Sequence, residues 1–100
     1  MSKKIVLVTG ATSGIGEGCA RRFAQGGYNV IVTGRNLEKL ESLKTQLEKE
    51  GVDVLPLAFD VRDREAAKEA IEHLPEQWKS IDVLINNAGL ARGLEPEYEG

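Results

Sequence analysis

Four short apolar runs, separated by stretches with helical spacing, constrain the fold of this chain more than any other feature. The runs occupy residues 5–8 (IVLV), 30–33 (VIVT), 54–59 (VLPLAF) and 81–85 (IDVLI). Short apolar runs rich in β-branched residues are typical of strands that are buried on both faces, as in a parallel sheet. The alternation predicts a β-α-β-α-β-α-β order with right-handed crossovers, which is an α/β fold with an open parallel sheet.

The stretches between the runs predict three amphipathic helices. Asn36 is the expected N-cap of the second helix, and Asp63 is that of the third. The third helix ends before Pro75, because proline cannot continue it. The apolar residues expected to face inward recur at helical spacing: Ile15, Cys19 and Phe23 in the first helix, Leu37, Leu40, Leu43 and Leu47 in the second, and Ala67, Ala70, Ile71 and Leu74 in the third.

The composition argues against several classes of protein. With 100 residues, 41% of them hydrophobic and 29% charged, the chain is expected to form at most one soluble globular domain. A formal net charge of -3 argues against nucleic acid or a membrane surface as the main partner. No secretory signal or transmembrane span is predicted. The single cysteine, Cys19, predicts no internal disulfide and no metal site, so we expect a cytoplasmic location.

A glycine-rich turn follows the first apolar run and leads directly into the first helix. It reads TGATSGIG from Thr9 to Gly16. Its glycines allow a tight turn and a close approach of the backbone to a phosphate, while the helix N-terminus offers unpaired N–H groups. Thr12 and Ser13 could add hydroxyl donors. A turn without a ligand is the alternative, but the strand before it and the helix after it are the context that a phosphate-binding loop requires.

Three motifs in this order resemble the short-chain dehydrogenase/reductase family. They are the TGATSGIG turn, Asp60-Val61 after the third run, and Asn86-Asn87-Ala88-Gly89 after the fourth. The resemblance implies a Rossmann-type, doubly wound parallel sheet, of which residues 1–100 would be the N-terminal part, and a nicotinamide dinucleotide as ligand. It assigns adenine contacts to Asp60 and Val61. The full set of implied cofactor-binding residues in these motifs is Gly10, Thr12, Ser13, Gly14, Ile15, Gly16, Asp60, Val61, Asn87, Ala88 and Gly89.

Arg35 favours NADP over NAD as the cofactor. In the dinucleotide fingerprint, an acidic residue about 20 positions after the glycine loop binds the ribose 2′-OH of NAD, whereas an arginine nearby accommodates the 2′-phosphate of NADP. Arg35 occupies that region, and no Asp or Glu lies between Tyr28 and Leu37. Gly34 permits close approach of the phosphate, and Asn36 adds a donor at a helix start. The alternative is that Arg35 is a solvated surface residue.

The catalytic tyrosine and lysine of the family, in a YxxxK pattern, have no counterpart in this chain. Tyr28 is followed four places later by Val32, and only two residues follow Tyr98. No catalytic residue is therefore assigned. Three interpretations stay open: part of a full-length reductase, which we favour, a half-domain that binds nucleotide without catalysis, and a structural or assembly module.

Two loop stretches resemble a subgroup of NADP-dependent reductases that act on serine and other short 3-hydroxy acids. They are LPEQW at 74–78 and GLARGLEP at 89–96. The resemblance implies hydride transfer between nicotinamide and such a small molecule, with a generic NADP-linked carbonyl reductase as the alternative, and a homo-oligomer for a full-length form. His73 is interpreted as structural or exposed, and the charged run at 38–50 as a solvent face that needs no partner.

Overall fold

The computed structural model describes residues 3–60 and 63–86. Strands and helices alternate along it in the order β1 (Ile5–Thr9), α1 (Gly14–Gln25), β2 (Asn29–Gly34), α2 (Leu37–Glu48), β3 (Val54–Ala58), α3 (Arg64–Glu72) and β4 (Val83–Asn86). A short 3-10 helix, Glu76–Trp78, lies between α3 and β4. The predicted α/β order is confirmed, and the strand ends differ from the predicted runs by one or two residues.

The strands form one parallel sheet in the order β3-β2-β1-β4. The register places Leu7 of β1 between Ile31 of β2 and Leu84 of β4. The chain thus winds outward from β1 to β3 and then returns to the other side of β1. This reversal beside β1 is the topological switch of a doubly wound sheet, and the carboxyl ends of all four strands lie along one edge. The predicted fold class is therefore confirmed.

Each face of the sheet carries its own apolar cluster, because successive strand residues point to opposite faces. On one face, valines of β1, β2 and β3 pack against α1 and α2. The buried residues of this cluster include Val6, Val8, Val30, Val32, Val54, Ala20, Ala24, Leu40, Leu43 and Leu47. On the other face, the buried residues are Ile5, Leu7, Ile31, Leu74 and Trp78. We call these the helix-covered face and the opposite face.

Some of the residues predicted to point inward do not. Ile15 is 71% exposed and Leu37 is 50% exposed. Both stand in the first turn of their helix, at the edge of the sheet, and the first buried apolar side chain comes later along each helix, Ala20 in α1 and Leu40 in α2. None of the residues of α3 is fully buried, although Leu74 just beyond it is.

The predicted helix caps are confirmed. The Asn36 Oδ1 atom accepts a hydrogen bond from the Lys39 N–H at 3.1 Å, and the Asp63 Oδ1 atom accepts one from the Ala66 N–H at 3.2 Å. These bonds fix where α2 and α3 begin. Within the described residues, no helix combines the length and the apolar character that crossing a membrane requires.

Candidate functional site

The loops after β1, β2 and β3 meet at the carboxyl edge of the sheet. The Ala11 N–H donates to the Thr33 carbonyl at 2.9 Å, which ties the first loop to the end of β2. The Phe59 N–H donates to the Gly34 carbonyl at 2.8 Å, which ties the end of β3 to the same strand. This edge therefore carries the described members of the predicted site: Gly10, Thr12, Ser13, Gly14, Ile15, Gly16, Arg35, Asn36 and Asp60.

Gly10 and Ser13 shape the turn between β1 and α1. Gly10 has a φ of 61°, in the left-handed region that glycine adopts without strain. Ser13 caps α1, since its hydroxyl donates to the Gly10 carbonyl at 2.9 Å and accepts from the Gly16 N–H at 3.3 Å. Among the residues described, none accepts from the N–H groups of Gly14 and Ile15. These donors stand at the positive end of the helix, where an anion is stabilised.

The fold itself does not require glycine at position 14. A Cβ atom added there would meet nothing within 4 Å, and the backbone φ is outside the left-handed region. Glycine disfavours a helix by about 0.5–1 kcal/mol relative to alanine. Gly18 in the same helix has equally open surroundings, so the space around Gly14 does not by itself indicate a ligand. Gly14 differs from Gly18 in its place at the helix start, where its N–H group points away from the helix.

Arg35 extends into solvent from the end of β2. Its side chain is 71% exposed, and its Nη1 atom lies 3.9 Å from the Asp60 Oδ2 atom at the end of β3. An exposed ion pair of this kind contributes at most about 1 kcal/mol. Arg35 can therefore exchange this contact for a stronger anionic partner. Asn36 uses its side-chain oxygen to cap α2, which leaves its amide NH₂ as a donor.

Two cavities adjoin these side chains. The larger, of about 530 Å³, is lined by Thr12, Arg35, Asn36, Leu37, Glu38 and Lys39. The smaller, of about 270 Å³, lies between α1 and α2 and is lined by Ala11, Thr12, Glu17, Lys39, Ser42, Leu43 and Gln46. Thr12 was predicted to belong to the site, whereas Lys39 was assigned to a solvent face without a partner. The sequence signal for Lys39 is a cation in the first turn of a helix, where acidic residues are usual.

Thr9 joins the two strands at the topological switch. Its Oγ1 atom lies 3.3 Å from the Ile85 carbonyl oxygen and 3.1 Å from Asn86 Oδ1. These contacts fix the end of β4 beside the glycine turn, a role that the sequence did not single out for Thr9. The predicted site residues Val61, Asn87, Ala88 and Gly89 lie outside the described residues, so their assignment stays a prediction.

Comparison with known proteins identifies the family. The family model described as short chain dehydrogenase matches residues 4–99. The chain belongs to this family. The resemblance inferred from the three motifs is thus confirmed over nearly the whole sequence.

Several relatives in this family resemble the chain in both sequence and fold. The NADP-dependent 3-hydroxy acid dehydrogenase YdfG of Salmonella typhi is 56% identical over 95 residues, which are 95% of this chain and 37% of the relative. The serine dehydrogenase of Escherichia coli is 48% identical with a TM-score of 0.73, over 80% of this chain and 36% of that structure. The L-sorbose reductase of Gluconobacter frateurii, complexed with NADPH and L-sorbose, is 34% identical with a TM-score of 0.81, over 89% of this chain and 34% of that one.

Two points follow from these relatives. The chain spans well under half of the length of each of them. The predicted cofactor, NADP, agrees with the name of the Salmonella relative and with the NADPH bound to the L-sorbose reductase. The predicted similarity to dehydrogenases of serine and 3-hydroxy acids is likewise confirmed.

Proposed function

We propose that this chain is the cofactor-binding part of an NADP-dependent oxidoreductase that transfers hydride between nicotinamide and a short 3-hydroxy acid. The observation that carries the proposal is the joint position of the glycine turn and Arg35 at one edge of the sheet. The relatives named for NADP and for 3-hydroxy acids support the choice of cofactor and substrate. We also propose that the full-length protein is a homo-oligomer in the cytoplasm. Neither nucleic acid nor a membrane is proposed as its partner.

The residues present fit a bound NADP. The N–H groups of Gly14 and Ile15 would hold the pyrophosphate, and Arg35 would bind the 2′-phosphate. Asp60 would face the adenine, and the ends of β1 and β4 would lie along the path toward the nicotinamide. The bound nicotinamide supplies the hydride chemistry. The contribution of this chain is to hold and orient the cofactor at the switch point of the sheet.

Binding without catalysis is the second candidate. Residues 1–100, which span 37% of the length of the Salmonella relative, contain the groups proposed to bind the cofactor and no YxxxK pattern. Tyr28 does not replace the missing tyrosine, because its ring packs edge-on against Phe23, with the ring centroids 4.8 Å apart, at the opposite end of α1 from the glycine turn. Reduction of NADP by the full-length protein in the presence of serine or 3-hydroxybutyrate would support the oxidoreductase. Tight NADPH binding with no turnover on such acids would favour the second candidate.

A matched pair of glycine substitutions tests the cofactor site. Gly14 and Gly18 both lie on α1, both are exposed, and an added Cβ would meet nothing within 4 Å at either position. For Gly14→Ala we expect at least about a 10-fold loss of NADPH affinity, because the methyl group would keep the pyrophosphate from the backbone. For Gly18→Ala we expect unchanged affinity and about 0.5–1 kcal/mol of added stability.

Fluorescence titration of the full-length protein with NADPH gives the affinities, and urea unfolding gives the stabilities. Equal NADPH affinities in the two glycine variants would contradict a pyrophosphate site at the start of α1. The Gly18→Ala variant controls for any general effect of a methyl group on this helix.

A further inference from the structure

Lys39 lies where the two cavities adjoin. It lines the larger cavity together with Arg35 and Asn36, and it lines the smaller one together with Glu17. Its own backbone is held in place, because its N–H donates to the Asn36 side chain at 3.1 Å. The position of Lys39 relative to Arg35 is therefore set by the start of α2, which immediately follows β2.

Within residues 3–60 and 63–86, no carboxylate lies within ion-pair distance of the Lys39 side chain. By contrast, Arg35 lies 3.9 Å from Asp60, and Glu17 accepts from Arg21 Nε at 3.0 Å. Lys39 is therefore the cation that lines both cavities and has its charge available for a ligand.

The acidic residues near Arg35 mean that a phosphate bound in the larger cavity would need a second cation. Arg35 there is offset by its neighbour Asp60, and Glu38 adds a further negative charge to the lining. A phosphate monoester carries a charge of about -1.5 to -2 at neutral pH. Counted together with Asp60 and Glu38, Arg35 alone would leave a net negative surface around that phosphate, whereas the addition of Lys39 makes the surface neutral and removes this repulsion.

The position of Lys39 in α2 is unfavourable for the helix alone. A lysine in the first turn faces the positive end of the helix dipole, where acidic residues are preferred. None of the described side chains offsets this repulsion through an ion pair with Lys39. A residue that breaks a local rule without structural compensation is expected at a functional site.

We propose that Lys39 is a second specificity-determining residue for NADP, whose ammonium binds the 2′-phosphate from the α2 side while Arg35 binds it from the end of β2. This inference rests on the proposed function, since it assumes that the dinucleotide lies at this edge of the sheet. Discrimination against NAD is then shared between a strand end and a helix start. Loss of either cation weakens the discrimination without abolishing binding.

Charge removal at Lys39 in the full-length protein tests this assignment. For Lys39→Met we expect NADPH affinity to fall by about 3- to 10-fold, a range between that of an exposed ion pair and that of a charge-assisted hydrogen bond. The affinity for NADH should change by less than about 2-fold, because NADH has no 2′-phosphate. The Lys39→Arg variant should keep the preference for NADPH.

Lys49→Met provides the matched control. Lys49 is exposed at the far end of α2, about 15 Å from Lys39 at 1.5 Å per residue. The same loss of charge there should change both affinities by less than about 2-fold, since exposed charges at this distance are screened. The thermal midpoint of Lys39→Met should match or slightly exceed that of the unmodified protein, which separates a binding role from a structural one.

The outcomes separate this inference from the function on which it rests. An unchanged ratio of NADPH to NADH affinity in Lys39→Met would overturn the role of Lys39, and a fall of that ratio in Arg35→Met would then leave the proposed function standing. Failure of the unmodified full-length protein to bind either dinucleotide would overturn the proposed function and this inference together. Equal losses of NADPH and NADH affinity in Lys39→Met would also overturn it.

Discussion

The two faces of the sheet differ in how completely they are covered. On the helix-covered face, α1 and α2 bury side chains from β1, β2 and β3, and Val6, Val8, Val30 and Val32 have no exposed surface. On the opposite face, α3 contributes no fully buried residue, and Leu84 of β4 is 58% exposed. Among the described residues, the helix-covered face is closed over β1, β2 and β3, with Val83 and Ile85 of β4 partly buried, whereas the opposite face is closed near β1 and β2 and leaves Leu84 of β4 exposed.

This difference shows which part of the molecule holds the candidate site. The glycine turn, Arg35 and Lys39 all belong to the segment from β1 to α2, which builds the helix-covered face. The packing that positions the adenosine side of the proposed cofactor is thus the best-buried packing in the described part of the chain. The β4 side contributes Asn86 through its contact with Thr9.

The largest expected difference between the two faces is in the cost of removing a leucine side chain. Leu40 is 0% exposed on the helix-covered face, so Leu40→Ala should lower the free energy of unfolding by about 2–5 kcal/mol. Leu84→Ala, on the open part of the opposite face, should lower it by less than about 0.5 kcal/mol. Urea unfolding of this chain followed by circular dichroism measures both. Similar costs for the two variants would mean that the faces do not differ as described.

The second expected effect concerns the site on the helix-covered side. Arg35→Asp should reverse the preference for NADPH over NADH, because a charge-assisted contact contributes about 1.5–3 kcal/mol, or about 10- to 100-fold in affinity. Stability should change little, since the Arg35 side chain is 71% exposed and its ion pair is long. Competitive titration of the full-length protein with the two reduced dinucleotides measures the preference. If the unmutated protein bound both equally, the basis for this prediction would be removed.

The smallest expected effect compares the helix caps on the two sides. Asn36 caps α2, which buries Leu40, Leu43 and Leu47, so Asn36→Ala should cost about 1 kcal/mol of stability. Asp63→Ala should cost less than half as much, because α3 buries no residue and can fray without opening a core. Thermal unfolding of both variants gives the comparison. A larger loss for Asp63→Ala would show that α3 is coupled to the core more tightly than its exposure indicates.

The strand order and both caps could be predicted because they follow from local patterns. Apolar runs, helical spacing and the Asn36 and Asp63 side chains each act over a few residues. The exposure of Ile15 and Leu37 could not be predicted from spacing, since it depends on where each helix begins relative to the sheet edge. The periodicity defines the apolar stripe of a helix but not the point along it at which burial starts.

In the candidate site, too, the residues in local sequence motifs could be predicted and those that depend on tertiary packing could not. The glycine turn could be identified because it stands between a predicted strand and a predicted helix, and Arg35 because it lies about 20 positions after that turn. Lys39 could not, because in sequence it is one charge among several on an exposed helix, and its significance depends on two cavities formed by the packing of α1 against α2. The Thr9–Asn86 contact likewise joins residues that are far apart in sequence.

A crystal structure of the full-length protein with NADP bound would locate both phosphate groups of the proposed cofactor. We expect the pyrophosphate against the N–H groups of Gly14 and Ile15, with the 2′-phosphate within hydrogen-bond distance of the Arg35 guanidinium. A dinucleotide bound away from the glycine turn, or with its 2′-phosphate directed away from Arg35, would contradict the proposed cofactor site.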